Sequence, residues 1–430
     1  MHKCYKVHFT IPRWTLLGTA ADTRRNTERF QGRTVLPFSR AEYDARLVAT
    51  RKHMAAAGLA ALIVTDPANI YYLTGYDAWS FYTPQGLFVP ADGKPLLFAR
   101  EMDANGADAT AWLPRDQVLG YPESYVQQPD RHPMDWVAAE LLDRGALRPD
   151  LDGPVGLEYD AYYFSARAEK ALCAALPGVD FTDAGPLVNW VRAIKSPAEI
   201  ELMRRAARIA DRVMGVAVAA VRPGRRQCDA AAEIAAAQAA GTAEYAGDYP
   251  AIVPMLPSGG SAGVPHLTWS ERPFMAGEAT VIELAGAHRR YHAPLARTVM
   301  LGEPPRRLAD TSKVVQEGMD AALAAMRPGV TCQSVERAWR DVITGYGLEK
   351  PSRIGYSVGI GYPPDWGEHT MSLRPGDATV LAPNMTFHLI LGMWMDGWGL
   401  ELSETVAVTE NGAECLCSVS RELFTKEGGT

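Results

Sequence analysis

The 430-residue sequence lacks the marks of several special classes of protein. Cysteine is sparse: Cys4, Cys173, Cys228, Cys332, Cys415 and Cys417 are scattered, with no CxxC pair and no Cys/His cluster. That pattern argues for reduced thiols and excludes a disulfide framework and a structural zinc site. No apolar run approaches the roughly 18 residues of a membrane helix, so no membrane partner is expected. Neither sign of charge dominates, since a net charge of −7 is spread over interspersed acids and bases. No basic footprint for nucleic acid results. A secretory leader is also missing: residues 1–35 mix basic residues with short pieces such as Trp14-Thr15-Leu16-Leu17, and Pro12, Arg13 and Gly18 break any apolar centre. This stretch reads as a disordered extension, and the chain as a cytoplasmic protein.

What is present is an α/β (α+β) pattern of enzyme size, long enough for two or three domains. Between residues 36 and 190 apolar strand-like runs alternate with helical stretches. Leu59-Ala60-Ala61-Leu62-Ile63-Val64 has the composition of a buried strand. Gly86–Pro90 and Pro95–Ala99 flank Ala91-Asp92-Gly93 as a hairpin. A second domain, residues 191–430, is expected to open with a long helix. Ser196-Pro197-Ala198-Glu199 has the form of a capping box with proline at the first helical position, and Ile200, Met203, Ala207 and Val213 follow at helical spacing. Val221-Arg222-Pro223-Gly224 and Met326-Arg327-Pro328-Gly329 echo each other, each ending one helix and preceding another. Two such halves predict a pseudo-symmetric domain.

Five ordered stretches carry chemistry: Thr280-Val281-Ile282-Glu283-Leu284 with Tyr291–Val299; Gly355-Tyr356-Ser357-Val358-Gly359; Leu381–Phe387; Ser403–Gly412; and, upstream, Asn69-Ile70-Tyr71-Tyr72-Leu73-Thr74-Gly75. In order and spacing they resemble the creatinase/aminopeptidase family, whose fold is the pseudo-symmetric "pita-bread" domain preceded by a creatinase-type N-terminal domain. The metallopeptidases of that family bind two metal ions through two Asp, one His and two Glu. The resemblance aligns Glu283, Pro294, Tyr356, Ile390 and Ser403 with those five ligands. Pro and Ile offer no side-chain donor, and hard divalent ions need several converging oxygen or imidazole ligands. No metal and no other cofactor is therefore expected, which disfavours an Xaa-Pro peptidase.

Further stretches resemble the ectoine-hydrolase branch of the family: Asp248–Pro254, His266-Leu267-Thr268-Trp269, Arg290–Thr298, Gly355–Trp366, Gly392–Gly399 and Thr74–Tyr82. The resemblance implies hydrolysis of a small cyclic amidine, ectoine, to N-acetyl-L-2,4-diaminobutyrate, and leaves open whether hydroxyectoine is also accepted. Glu283 is expected either to attack the amidine carbon or to deprotonate water, with His266 shuttling protons and Tyr356 donating to the leaving nitrogen. A planar amidinium suits an aromatic face and a carboxylate. Trp79, Phe81, Tyr82, Trp366, Trp394 and Trp398 are candidates for the face, each with core packing as the other reading. Glu404 is the candidate carboxylate, with Glu401 also in range. Arg297, His292 and His388 are candidates to hold the substrate carboxylate, Arg297 having a purely structural strand role as its alternative. The resemblance further implies a homodimer in which Trp79–Tyr82 closes a pocket in cis or in trans, and a separate deacetylase that takes the product. A creatinase-like enzyme acting on another amidine and a non-catalytic binding protein are the remaining alternatives.

Overall fold

The computed structural model describes residues 36–148 and 151–428; the extension expected at 1–35 lies outside the described residues. Strands β1 (Ala61–Val64), β2 (Gly86–Pro90), β3 (Leu96–Arg100), β4 (Val118–Tyr121), β5 (Val155–Leu157) and β6 (Phe181–Asp183) form a mixed sheet ordered β4-β3-β2-β1-β5-β6. β1 is apolar throughout because both its faces are covered: Leu62 and Val64 enter one core, Ala61 and Ile63 another. β2 and β3 pair antiparallel with Gly86 opposite Phe98, the hairpin the sequence predicts. The Pro67–Thr74 helix follows β1. Asp66 caps its N-terminus, and Gly75 closes it in the left-handed region at φ 78°.

The second sheet contains β7 (Ala279–His288), β8 (Tyr291–Leu301), β9 (Gly355–Tyr362), β10 (Asp365–Ser372), β11 (Thr386–Met395), β12 (Trp398–Thr409), β13 (Gly412–Cys415) and β14 (Phe424–Lys426). Its order is β13-β12-β11-β9-β8-β14, with β7 paired to β8 and β10 to β9. The Pro197–Ala220 and Gln227–Ala240 helices bury their apolar sides against β7 and β8. Arg306–Ala325 and Cys332–Gly345 do the same against β11 and β12. The expected capping box is formed, with the Ser196 side chain accepting from the Glu199 N–H and Glu199 accepting from the Ser196 N–H.

The two Arg-Pro-Gly turns are equivalent in detail. Gly224 (φ 79°) and Gly329 (φ 86°) are both left-handed. Their N–H groups donate to the carbonyls of Phe274 and Leu381, and Arg226 and Thr331 form isolated bridges to Pro273 and Val380. Each helix pair is thus stitched in the same way to the chain entering its half of the sheet. That makes the domain pseudo-symmetric.

A buried polar clamp joins the two sheets' units. Asn69 donates to Glu158 (2.7 Å) and to Asn189 (2.8 Å), and Arg192 donates to Asn69 (2.8 Å) and to the Ile360 carbonyl (3.1 Å). Lys195 donates to Glu368 at 2.6 Å, and Asn189 to the Glu368 carbonyl at 2.9 Å.

Candidate active site

β7 alternates along its length. Ile282 and Leu284 pack on the helices, so Glu283 projects from the opposite face. Its backbone pairs on one side with Ala296 of β8 and on the other with Met255, through hydrogen bonds of 2.9 and 3.2 Å. The side chain is buried, and no hydrogen bond reaches its carboxyl from the described residues. Burial, then the charge of Asp365, pushes this carboxyl up to about 7. A group poised there changes protonation near neutral pH, as a nucleophile or base requires.

Tyr356 on β9 stands beside it. The Tyr356 hydroxyl accepts the Trp366 indole N–H at 2.9 Å and lies 2.9 Å from His388 Nδ1. His388 Nε2 is 2.7 Å from the Ser403 hydroxyl, which accepts the Ala296 backbone N–H at 2.7 Å. The β9–β11 and β11–β12 registers create this chain, setting His388 opposite Tyr356 and Ile390 opposite Ser403. Burial, then the Tyr356 neighbour Arg353, pushes His388 down to about 3, so its ring is neutral.

The five aligned positions do not fit a metal pair. Pro294 and Ile390 have no donor atom, Ser403's oxygen is already engaged by Ala296 and His388, and a single carboxylate remains. Among the described residues no group of three or more His, Cys, Asp or Glu is placed to hold a metal ion.

Several candidates serve other purposes. All five Arg297 donors are used, on the carbonyls of Ala296, Ser403, Val419 and Ser420 and on Glu404 at 2.7 Å. Arg297 and Glu404 are thus partners of each other in this structure. His292 Nδ1–H donates to the Arg290 carbonyl (2.8 Å), and its Nε2 accepts the Ala251 N–H (2.9 Å). Burial pushes its ring down to about 4, so it offers no cation to a substrate carboxylate. His388 is likewise spoken for by Tyr356 and Ser403.

The aromatic candidates divide. Trp79 is 57% exposed, its ring 4.7 Å from Tyr249 and 4.9 Å from Phe81. Phe81 reaches Tyr362 (5.7 Å), and the Asp77–Arg290 ion pair (2.9 Å) latches this segment to the same chain's second sheet. Tyr82 points away, into a groove with Tyr125 and Arg131. Trp398 lies under Arg307, whose guanidinium is 5.2 Å from its ring, in a groove with Gly259 and Glu278. Trp366 is fully buried and acts through its N–H. His266 is exposed, at φ 65°, on the loop after Gly259–Gly263, and it is not brought to Glu283.

Two further groups lie beside Glu283 and Tyr356. Glu401, two residues before Ser403 on β12, is buried with neither carboxyl oxygen hydrogen-bonded. Burial, then the Glu283 charge, raises it well above the ordinary carboxyl range, while Lys350 opposes the rise. Arg353 stacks on Tyr356, its guanidinium 4.4 Å from the ring centroid. Arg353 stands outside the motifs that mark the strands, and its place just before β9 is its only signal in the sequence.

Residues 46–194 match the Creatinase/Prolidase N-terminal domain and residues 201–410 match metallopeptidase family M24. The chain is 46% identical over 398 residues to the ectoine hydrolase of Halomonas elongata, covering 91% of this chain and 99% of that one. It is 45% identical over 394 residues to an uncharacterized hydrolase/peptidase of Sinorhizobium fredii, covering 91% and 100%. The dipeptidase PepE of Mycobacterium ulcerans superposes with a TM-score of 0.74 at 27% identity, over 90% of this chain and 99% of that one. A Thermococcus sibiricus prolidase shares the fold with a TM-score of 0.77 at 20% identity, over 89% and 99%. The chain belongs to the creatinase/prolidase-type members of family M24.

Proposed function

We propose that this chain hydrolyses ectoine, opening the cyclic amidine to N-acetyl-L-2,4-diaminobutyrate without a metal ion. The observation that carries the reading is one buried, near-neutral carboxyl, Glu283, beside the Tyr356 hydroxyl, where relatives are expected to place metal ligands. Likeness to the Halomonas enzyme over nearly the whole chain supports the same substrate.

An amidine carbon needs a nucleophile, and the nitrogen that departs needs a proton. Glu283 supplies the first, by direct attack or by deprotonating water, and Tyr356 supplies the second. His266 shuttles protons once its loop turns inward from the exposed position it holds here. Arg353, beside Tyr356, is the cation for the substrate carboxylate, taking the role first expected of Arg297, His292 and His388. Trp79 and Phe81 form the lid over the amidinium, and their rest on Tyr249 and Tyr362 supports closure in cis. The exposed Val264, Leu267 and Trp269 beside His266 support burial of that loop in a homodimer, whose mass light scattering would read directly. The product passes to a separate deacetylase. No helix among the described residues is long and apolar enough to cross a membrane, in keeping with a cytoplasmic metabolic enzyme.

The deciding experiment follows ectoine loss with and without a chelator. Activity should survive chelation and disappear in Glu283→Gln with the fold intact; near-normal turnover in that variant would refute the role of Glu283. Arg353→Ala should raise KM about tenfold or more with kcat largely kept, because it removes binding common to ground and transition states. An unchanged KM would remove Arg353 from the site.

A further inference from the structure

We infer that Ser403 and His388 are positioning residues that aim the Tyr356 hydroxyl proton at the substrate. The kinetic half of this rests on the amidine-hydrolase reading above, whereas the structural half stands on geometry alone.

Two donors in the chain have a fixed direction. The Trp366 indole N–H enters the Tyr356 oxygen at 2.9 Å, and the Ala296 backbone N–H enters the Ser403 oxygen at 2.7 Å. Between these ends lie two links whose direction is open: Tyr356 to His388 Nδ1 at 2.9 Å, and His388 Nε2 to Ser403 at 2.7 Å. His388 is fully buried with no acid on either ring nitrogen, so it is neutral and carries one N–H. Three protons therefore serve two links, and one is left over, at Ser403 or at Tyr356.

Burial decides between them. Ser403 is fully buried, and Ala296 and His388 are its hydroxyl's hydrogen-bond neighbours among the described residues. A leftover proton there would be an orphaned buried donor, at a cost of about 1–3 kcal/mol. Tyr356 is only part-buried, and the Glu283 carboxyl lies close enough for its charge to act on the phenol. A leftover proton there faces the part-open side of the chain, where an incoming ligand can accept it. So Ser403 O–H donates to Nε2, and Nδ1–H donates to Tyr356. The Tyr356 oxygen then accepts two N–H groups, and its own proton points out of the chain.

This arrangement suits donation to a departing nitrogen. The Tyr356 O–H bond breaks, an N–H bond forms on the leaving group, and the electron pair stays on the phenolic oxygen. There the Trp366 and His388 N–H groups hold the charge. The proton returns from the attacking water through Glu283, so water supplies both protons that the freed amine gains.

The test joins nitrogen NMR of histidine-labelled protein with substitutions at two positions. In the ligand-free wild type, the His388 signals, assigned by their loss in His388→Asn, should show the Nδ1–H tautomer; Ser403→Ala should shift them toward Nε2–H. In ectoine turnover, His388→Asn places an amide N–H near the site of Nδ1 and should keep most of kcat. His388→Gln reaches only the site of Nε2 and should lose about 100-fold in kcat, with KM within a few-fold. Ser403→Thr should rescue what Ser403→Ala loses. An Nε2–H tautomer in the wild type overturns the inference, and so do equal losses in the Asn and Gln variants. Should the wild type leave ectoine untouched, the proposed substrate fails while the tautomer measurement still decides the geometry.

Discussion

At Glu283 a single displacement of protonation has two consequences that run in opposite directions. Burial and Asp365 raise its carboxyl from an ordinary 4.5 to about 7. Folded chain therefore binds this proton more tightly than unfolded chain, so the contribution to stability is fully present below about 4.5 and is lost as pH rises through 7. The loss is on the order of 3 kcal/mol. Glu283→Gln should remove it, so that urea unfolding at pH 8 finds the variant more stable than the wild type and at pH 4 finds them close. Catalysis needs the ionised form, so turnover by the wild type should fall as pH drops below about 7. Equal stability–pH slopes for the two proteins, or an acid limb near 4, would contradict the assignment. Glu401 reinforces this picture, since its carboxyl is buried with two unpartnered oxygens, and burial and then the Glu283 charge raise it well above the ordinary carboxyl range.

Elements differ in how far the sequence discloses them. The Pro197–Ala220 helix was legible because its start is written in four adjacent residues, and the structure forms both hydrogen bonds of that capping box. The paired Arg-Pro-Gly turns were legible for the same reason: a helix end and a left-handed glycine are local events. Local motifs place Glu283 and Tyr356 on their strands. The partners of Arg297, Glu404 and His388 were not legible, because each depends on pairing across the sheet. Arg297 meets a partner 107 positions away, and His388 meets Tyr356 and Ser403 at separations of 32 and 15. A one-residue change of register would turn His388 to the opposite face. No count of residue types along the chain reveals which of two opposed faces a neutral histidine occupies. Trp366 shows the complementary limit, for its ring is core and only its indole N–H belongs to the site.

For the whole molecule the question is how the segment proposed as a lid, on the first unit, keeps its place over the proposed site on the second. The aromatic contact of Trp79 with Tyr249 is half exposed and would not hold two domains by itself. The buried clamp is stronger. Arg192 touches Asn69 of the first unit and the Ile360 carbonyl of β9, and lies 3.7 Å from Glu368, which in turn binds Lys195 at 2.6 Å. Removing one member of such a buried set leaves the others desolvated without partners, which costs about 3–5 kcal/mol. That cost falls on the joint, beside an apolar core that runs from Leu62 and Val64 of the first unit to Ala285, Val358 and Ile360 of the second. Calorimetry of the wild type should then show one cooperative transition, and Arg192→Ala should split it into two, the earlier one shifted down by several degrees. Because the hydrogen bonds of Arg192 go to Asn69 and the Ile360 carbonyl and not to Glu283 or Tyr356, ectoine turnover well below the first transition should keep its kcat, with KM rising as the proposed lid loosens. A single transition merely shifted to lower temperature would mean that the two units are coupled through their wider apolar contact, and that the clamp is one contributor among many.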